Sequence, residues 1–198
     1  RAALGAVTTG AGNLAIGYRA AEALVTGDDN TIIGHQAFDA AADDESWNVA
    51  IGTYAMGACD QGSHANADID NNVCIGYNSG LGGDFGSSDL NMVGNVAIGY
   101  GAMDGTNTQY TYDNVFIGSN SGGGTWATNG SIYNVAIGSS TMTGAMNDAN
   151  RNTAIGYSSL LALTTGGSNV AIGSNAAVAL TTASKTVFIG TYAGDAVT

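Results

Sequence analysis

Apolar and polar positions recur along this chain in a fixed order: an Asn, three apolar or small residues ending in Ile, and a Gly. In an extended strand the first and third residues of that segment share one face, and the middle residue points to the other. Both faces are apolar, which is typical of a strand covered on both sides. We therefore expect one face to fill an interior and the other to pack on another copy of the chain. The motifs begin at Asn13, Asn30, Asn48, Asn72, Asn95, Asn114, Asn134, Asn152, Asn169 and, with Thr in place of Asn, at Thr186.

The spacing of the motifs predicts the architecture. Their glycines are 17 to 24 residues apart over the whole chain. A unit of about 17 residues is too short for two packed helices, but it holds two strands of roughly five residues and two turns. Each unit is predicted to be one coil of a parallel β-solenoid. Residues 1–198 would then form a single all-β repeat domain of about ten coils, roughly 45–50 Å long.

The Asn, Ile and Gly of each motif are predicted to be structural. Gly and Asn both suit corners with positive φ, and a stacked Asn side chain can bond to the backbone of neighbouring coils. The residue three places after each Gly is always small, which marks a corner or a second strand. We also expect Ile98→Asp to destabilise the fold far more than Asp84→Ala. Representative structural residues are Asn95, Ile98, Gly99, Asn134, Ile137 and Gly138.

Aromatic residues recur directly after the Gly. Stacked at about 4.8 Å per coil, they would form a broken row along the rod. A structural ladder is the favoured interpretation, and a stripe that binds sugar faces is the alternative. The residues of this register are Tyr18, His35, Tyr77, Tyr100 and Tyr157.

The units in the middle of the chain carry the longest connections, within residues 56–133. Insertions in solenoids collect on one face, which is often the binding face. Aromatic residues on such loops are typical of recognition, although each ring could instead pin its loop to the coil beneath. The candidate ligand-binding residues are Phe85, Tyr110, Tyr112 and Trp126.

The charge balance excludes nucleic acid as a partner. Sixteen acidic residues face four basic ones, for a net charge of −12, whereas phosphate contacts need clustered Lys and Arg. No apolar run approaches the roughly 18 residues of a membrane span, so we expect no membrane insertion in this segment. No cofactor is expected, with calcium as the alternative, because paired carboxylates suit that ion. The weak candidate ligands are Asp68, Asp70 and Asp84.

Catalytic chemistry has little support in the composition. The chain has two His and two Glu, and no nucleophile elbow or oxyanion motif accompanies them. We expect no enzyme, with a polysaccharide hydrolase that uses paired Asp residues as a minor alternative. Whether Cys59 and Cys74 form a disulfide is left open at this point, because their separation decides it.

Read as Asn-x-Val-Ala-Ile-Gly with a small residue three places on, the units resemble the head repeats of YadA-like trimeric autotransporter adhesins. The run from Asn152 to Tyr157 is similar to repeats in bacteriophage tail fibres. The resemblance implies a left-handed β-roll, three chains about a common axis, and Val and Ile filling each coil. It also implies an extracellular, non-enzymatic fibre or adhesin that binds a cell-surface glycan or protein receptor. The units here are longer and less regular than in those adhesins, and a self-assembling extracellular filament is the alternative.

Overall fold

The backbone winds into stacked coils, and the strands of successive coils pair in parallel. The computed structural model describes residues 2–60, 68–82, 91–107, 109–126 and 128–197. In these ranges the chain is all-β and forms a parallel β-solenoid, which confirms the fold class predicted from the repeat. The described residues include no helix long and apolar enough to span a bilayer.

Of the thirteen strands in the described ranges, ten form one continuous parallel sheet, and each comes from one repeat motif. The other three, β4, β6 and β8, form a small second sheet beside it. The strands are β1 (Leu14–Ile16), β2 (Thr31–Ile33), β3 (Val49–Ile51), β4 (Ile69–Asp70), β5 (Val73–Ile75), β6 (Met92–Val93), β7 (Val96–Ile98), β8 (Thr111–Tyr112), β9 (Val115–Ile117), β10 (Val135–Ile137), β11 (Thr153–Ile155), β12 (Val170–Ile172) and β13 (Val187–Ile189).

Strand length departs from the prediction of two five-residue strands per unit. The main-sheet strands have three residues, and only β4, β6 and β8, of two residues each, form a second strand within the described residues. The reason is the density of corners, because left-handed residues such as Asn78, Met103 and Ser140 interrupt the extended backbone. The pairing register is constant, so Ile98 lies between Ile75 and Ile117 and each column holds equivalent residues.

The middle residue of each main-sheet strand, and not the flanking Val and Ile, faces the interior. Cys74, Ala97 and Phe116 are fully buried, whereas Val96 and Ile98 remain partly exposed. The expectation that Val and Ile fill each coil is therefore wrong. In several coils the physical reason is that the turn after the Gly already places a large side chain inside the coil, which leaves room for a small strand residue. The buried turn residues at this place include Phe38, Met56, Met103, Met142 and Leu160.

The inner strand residue and the turn residue four places after the Gly exchange volume. Phe116 is matched by Gly122, where an added Cβ would lie 2.5 Å from the Phe116 ring. Ala97 is instead matched by the large Met103. Phe188 and Gly194 show the same exchange of volume, because a Cβ added at Gly194 would lie 2.3 Å from the Phe188 ring. Because interiors are close-packed, a large residue at one of these two positions is accompanied by a small one at the other in these coils.

The Gly of each motif confirms the prediction of positive φ. Gly99, for example, has a φ of 139°, and a Cβ there would lie 2.5 Å from the carbonyl oxygen of Gly118 in the next coil. No side chain fits at that distance. The same prediction for the motif Asn is wrong, because the left-handed residue is the one before it, such as Asp113 or Tyr133. The Asn backbone is already engaged with the preceding coil: the Asn114 N–H donates to Asn95 Oδ1, and the Asn114 carbonyl accepts from Val96.

The motif asparagines form a buried ladder that runs along the rod. The Asn95 amide and backbone N–H both donate to Asn72 Oδ1, at 3.1 and 3.0 Å. The same Asn95 amide also donates to the Thr111 carbonyl at 2.9 Å, and Asn95 Oδ1 accepts two bonds from Asn114. Each Asn therefore ties its own coil to both neighbours. At the end of the ladder Thr186 donates to Asn169 Oδ1 through its N–H and its hydroxyl.

The two cysteines are free and belong to the core. Both side chains are fully buried, and the Cys59 thiol donates to the Gly80 carbonyl at 3.4 Å. Burial raises the pKa of Cys74 to about 12 and raises that of Cys59 well above its ordinary value. Neither thiol is ionised at neutral pH, so both serve as small apolar side chains.

Candidate binding surfaces

The outward residues of the main sheet form a flat strip that we call the outer ladder. It consists of the first and third residues of each main-sheet strand, which are Val, Leu or Thr followed by Ile. None of these side chains is charged, and those of Ile137, Ile155 and Ile172 are each more than a third exposed. The residues that the sequence analysis assigned as structural therefore fall into two groups. Asn134 and Gly138 build the coil, whereas Ile137 and Ile98 face outward.

An aromatic row follows the outer ladder, one corner away from it. We define it as Tyr18, His35, Tyr54, Tyr77 and Tyr100. Tyr18 stacks on His35 with ring centroids 5.3 Å apart, and Tyr77 stacks on Tyr100 at 5.4 Å. In the coil between His35 and Tyr77 the residue after the motif Gly is Thr53, which has no ring. Tyr54 supplies a ring there instead and lies edge-on to both His35 and Tyr77. In each of the two stacked pairs, each ring covers one face of its partner, whereas Tyr54 meets its neighbours edge to face.

The second sheet brings together two residues predicted from the sequence, Asp70 and Tyr112. Their strands, β4 and β8, both pair with β6, and the two residues stand on either side of Val93. All three point away from the interior, because Ile69, Met92 and Thr111 occupy the buried positions of the same strands. The long connections therefore do carry a distinct outward surface.

Tyr110 extends this surface. Its ring lies 6.1 Å from that of Tyr112, and its hydroxyl donates to Asp148 Oδ1 at 3.3 Å. Burial, together with the charge of Asp148, raises the pKa of the Tyr110 phenol, so that the hydroxyl remains a donor at neutral pH. A ring beside an acceptor carboxylate is the combination that recognises hydroxyl-rich ligands.

Tyr133 and Arg151 complete what we call the tyrosine patch, together with Tyr110, Tyr112 and Asp148. The Tyr133 backbone N–H donates to the Tyr112 carbonyl at 3.0 Å, and the Arg151 guanidinium lies 5.7 Å above the Tyr133 ring. Tyr133 is 47% exposed. Asp148 and Arg151 were missed at the sequence level. The available signal was that Tyr133 and Arg151 both directly precede a motif Asn, at the exposed corner of neighbouring coils.

Trp126 lies elsewhere, inside the solenoid. It is 2% exposed, its indole N–H donates to the Gly122 carbonyl at 3.1 Å, and its ring packs edge-on against Phe116. Its ring therefore pins the connection to the coil, which is the structural role considered for such residues. The sequence carried no sign of this difference, because Trp126 and Tyr112 sit in similar loop contexts.

The remaining predicted site residues are dispersed. Asp68 is exposed, and its backbone N–H donates to Asn91 Oδ1 at 2.9 Å. Asp70 Oδ1 accepts the Ser46 N–H at 2.8 Å, and burial raises the pKa of its carboxyl, aided by the charges of Asp68 and Asp44. Phe85 and Asp84 lie outside the described residues. No group of three or more His, Cys, Asp or Glu suited to a metal ion occurs in the part of the chain that the structure describes.

Comparison of the chain with protein-family models, with curated proteins and with solved structures finds no match in any of the three.

Proposed function

We propose that this chain is a non-enzymatic module of an extracellular fibre or adhesin, in which three copies pack their outer ladders together and the tyrosine patch binds a cell-surface glycan. The single observation that carries the proposal is the outer ladder itself, an uncharged apolar strip repeated in one register on ten strands. Continuous exposed apolar strips of this kind mark interaction surfaces.

The size of the outer ladder supports self-association. Ten strands with two outward residues each give twenty side chains on this strip. A standard protein–protein interface involves roughly 20–30 residues per partner. The strip is also about 43 Å long, from nine intervals of about 4.8 Å between paired strands. A copy of the same chain offers a surface of equal length and equal period.

Two variants, each with one added negative charge on a different side of the corner at Gly118, test self-association. Ile117 lies on the outer ladder, and Ser119, two residues later, is exposed on the other side of Gly118. We expect the unmodified protein to sediment as a trimer, Ile117→Asp to sediment as a monomer, and Ser119→Asp to remain trimeric. A monomeric unmodified protein, or equal behaviour of the two variants, would contradict the proposal. Fibres that lengthen with concentration in electron micrographs would favour the filament alternative.

Recognition by the tyrosine patch rests on three rings and two opposite charges brought together by separate coils. Tyr112 and Tyr110 supply adjacent rings, Asp148 an acceptor, and Arg151 a donor held over Tyr133. Sugars bind to proteins through ring stacking and hydrogen bonds to such polar groups. The rings of the aromatic row are less suited to this role, because in its two stacked pairs each ring already covers one face of its partner.

A glycan array separates the patch from other exposed aromatics. Tyr112→Ala is expected to abolish glycan binding, whereas Tyr157→Ala is expected to retain it, since Tyr157 is 58% exposed and belongs to a different surface. Tyr110→Phe removes only the hydroxyl that bonds to Asp148 and should weaken binding. Folded trimer without any bound glycan, or equal loss in the Tyr157 variant, would overturn the glycan-binding assignment without bearing on the proposed packing of three outer ladders.

A further inference from the structure

Tyr77 and Tyr100 form the most nearly parallel ring pair of the aromatic row. Their planes differ by 9°, and their centroids are 5.4 Å apart. The backbone holds the two rings at this spacing, because β5 and β7 pair in register and the Gly101 N–H donates to the Tyr77 carbonyl at 2.9 Å. The register of the sheet therefore makes the two side chains neighbours, although they are 23 residues apart in the sequence.

Both rings are also accessible. Tyr77 is 44% exposed and Tyr100 is 59% exposed. Neither hydroxyl has a hydrogen-bond partner among the described residues, whereas the Tyr54 hydroxyl donates to Gln36 Oε1 at 3.1 Å and that of Tyr110 to Asp148. The pair thus combines contact between rings with free access for a reagent from solution.

We propose that Tyr77 and Tyr100 are a site of oxidative cross-linking, at which a peroxide-driven oxidant joins the two rings as dityrosine. Each phenol loses one electron and one proton to the oxidant, which leaves two neutral phenoxyl radicals. A carbon–carbon bond then forms between one ortho carbon of each ring. The hydrogens on those carbons move to the phenol oxygens, so both rings regain their aromatic form. The two hydrogens lost overall reduce one peroxide to two waters.

The bond would act as a covalent staple between adjacent coils. It would close a loop that contains residues 78–99 and, with them, one of the long connections. A cross-link stabilises a fold mainly by restricting the unfolded chain, and the effect increases with the length of the closed loop. The solenoid has no disulfide to serve this purpose, since both cysteines are free and buried. The proposal is independent of the glycan-binding function.

Tyr157 provides a matched control. It occupies the same register position after a motif Gly and is 58% exposed, close to the value for Tyr100. Its neighbours in that register are Ser139 and Ser174, and it makes no ring contact among the residues that the structure describes. Substitution by Phe is the suitable change, because the phenyl ring keeps the stacking and only the oxidisable hydroxyl is lost.

The test treats dilute folded protein with hydrogen peroxide and a haem peroxidase, and reads dityrosine fluorescence together with mass spectrometry of the digested product. We expect a linked Tyr77–Tyr100 peptide lighter by two hydrogens, and a higher thermal midpoint than before treatment. Tyr77→Phe and Tyr100→Phe should each reduce the fluorescence to background, and Tyr157→Phe should leave it unchanged. A main product that links Tyr110 to Tyr112, bonds only between molecules, or no dityrosine in folded protein would overturn the proposal.

Discussion

The two faces of the main-sheet strands are both apolar, yet they repeat in different ways. The inner positions vary among Ala, Ile, Cys and Phe, whereas the third outward position is always Ile. In several coils the turn residue compensates for the change in volume on the inner face, as Gly122 does for Phe116. The constant Ile of the outer face is the feature on which the proposed packing of outer ladders rests.

The largest expected effect separates the two faces of one strand when a charge is placed on each face in turn. Ala97→Asp buries a carboxylate among apolar residues, and we expect a loss of more than about 4 kcal/mol or failure to fold. Ile98→Asp, on the outer face, is expected to cost about 1–2 kcal/mol in dilute monomer. Denaturant unfolding followed by circular dichroism measures both. Equal losses would show that the two faces are equally enclosed.

A pair of substitutions tests the exchange of volume on the inner face. Phe116→Ala empties the interior of its coil and should cost about 3–5 kcal/mol. Adding Gly122→Met should recover much of that loss, because Met103 and Met142 already occupy this turn position beside Ala97 and Ala136. Gly122→Met alone should destabilise, since its side chain would meet the Phe116 ring. Additive losses in the double variant would contradict the exchange.

The corner before each motif Asn leads into the main-sheet strand, and a smaller effect is expected there. Ser168 is exposed with a φ of 61°, a conformation that Gly adopts without strain. Ser168→Gly should raise the free energy of unfolding by about 0.5–1 kcal/mol. Ser139→Gly is the control, because Ser139 is exposed without a positive φ, and it should lower stability. A loss in both variants would show that the corner is unstrained.

The smallest effect concerns the outer face of the second sheet, where Asp70 holds a position comparable to the Ile of the outer ladder. The raised pKa of Asp70 means that the folded state favours the protonated carboxyl. Protonation of Asp70 therefore stabilises the fold at low pH, and this stabilisation is lost as the pH rises. Asp70→Asn should therefore raise the thermal midpoint at neutral pH, with the gain vanishing below about pH 3.9. Asp28→Asn, at an exposed corner, should bring no gain.

Much of the fold could be predicted from the sequence, because a motif repeated ten times leaves few architectures. Which face of each strand points into the coil could not be predicted, since Val, Ala and Ile are all apolar and alternation alone does not identify the inner face. The missing signal was the covariation of the inner residue with the turn, visible in Phe116 with Gly122 and Phe188 with Gly194. Among the candidate site residues, Tyr110 and Tyr112 were brought together, but the burial of Trp126 depends on one coil's packing and left no trace in the pattern.

The asparagine ladder also determines how such a rod would respond to a pulling force. Each Asn bonds to the coils before and after it, so a coil cannot leave the stack without breaking bonds on both sides. Load would therefore be released in steps, one coil at a time. A released unit of 17 residues can extend to roughly 55–60 Å, against about 4.8 Å when folded. Stepwise unfolding of the solenoid would then dissipate a pulling force over a long extension.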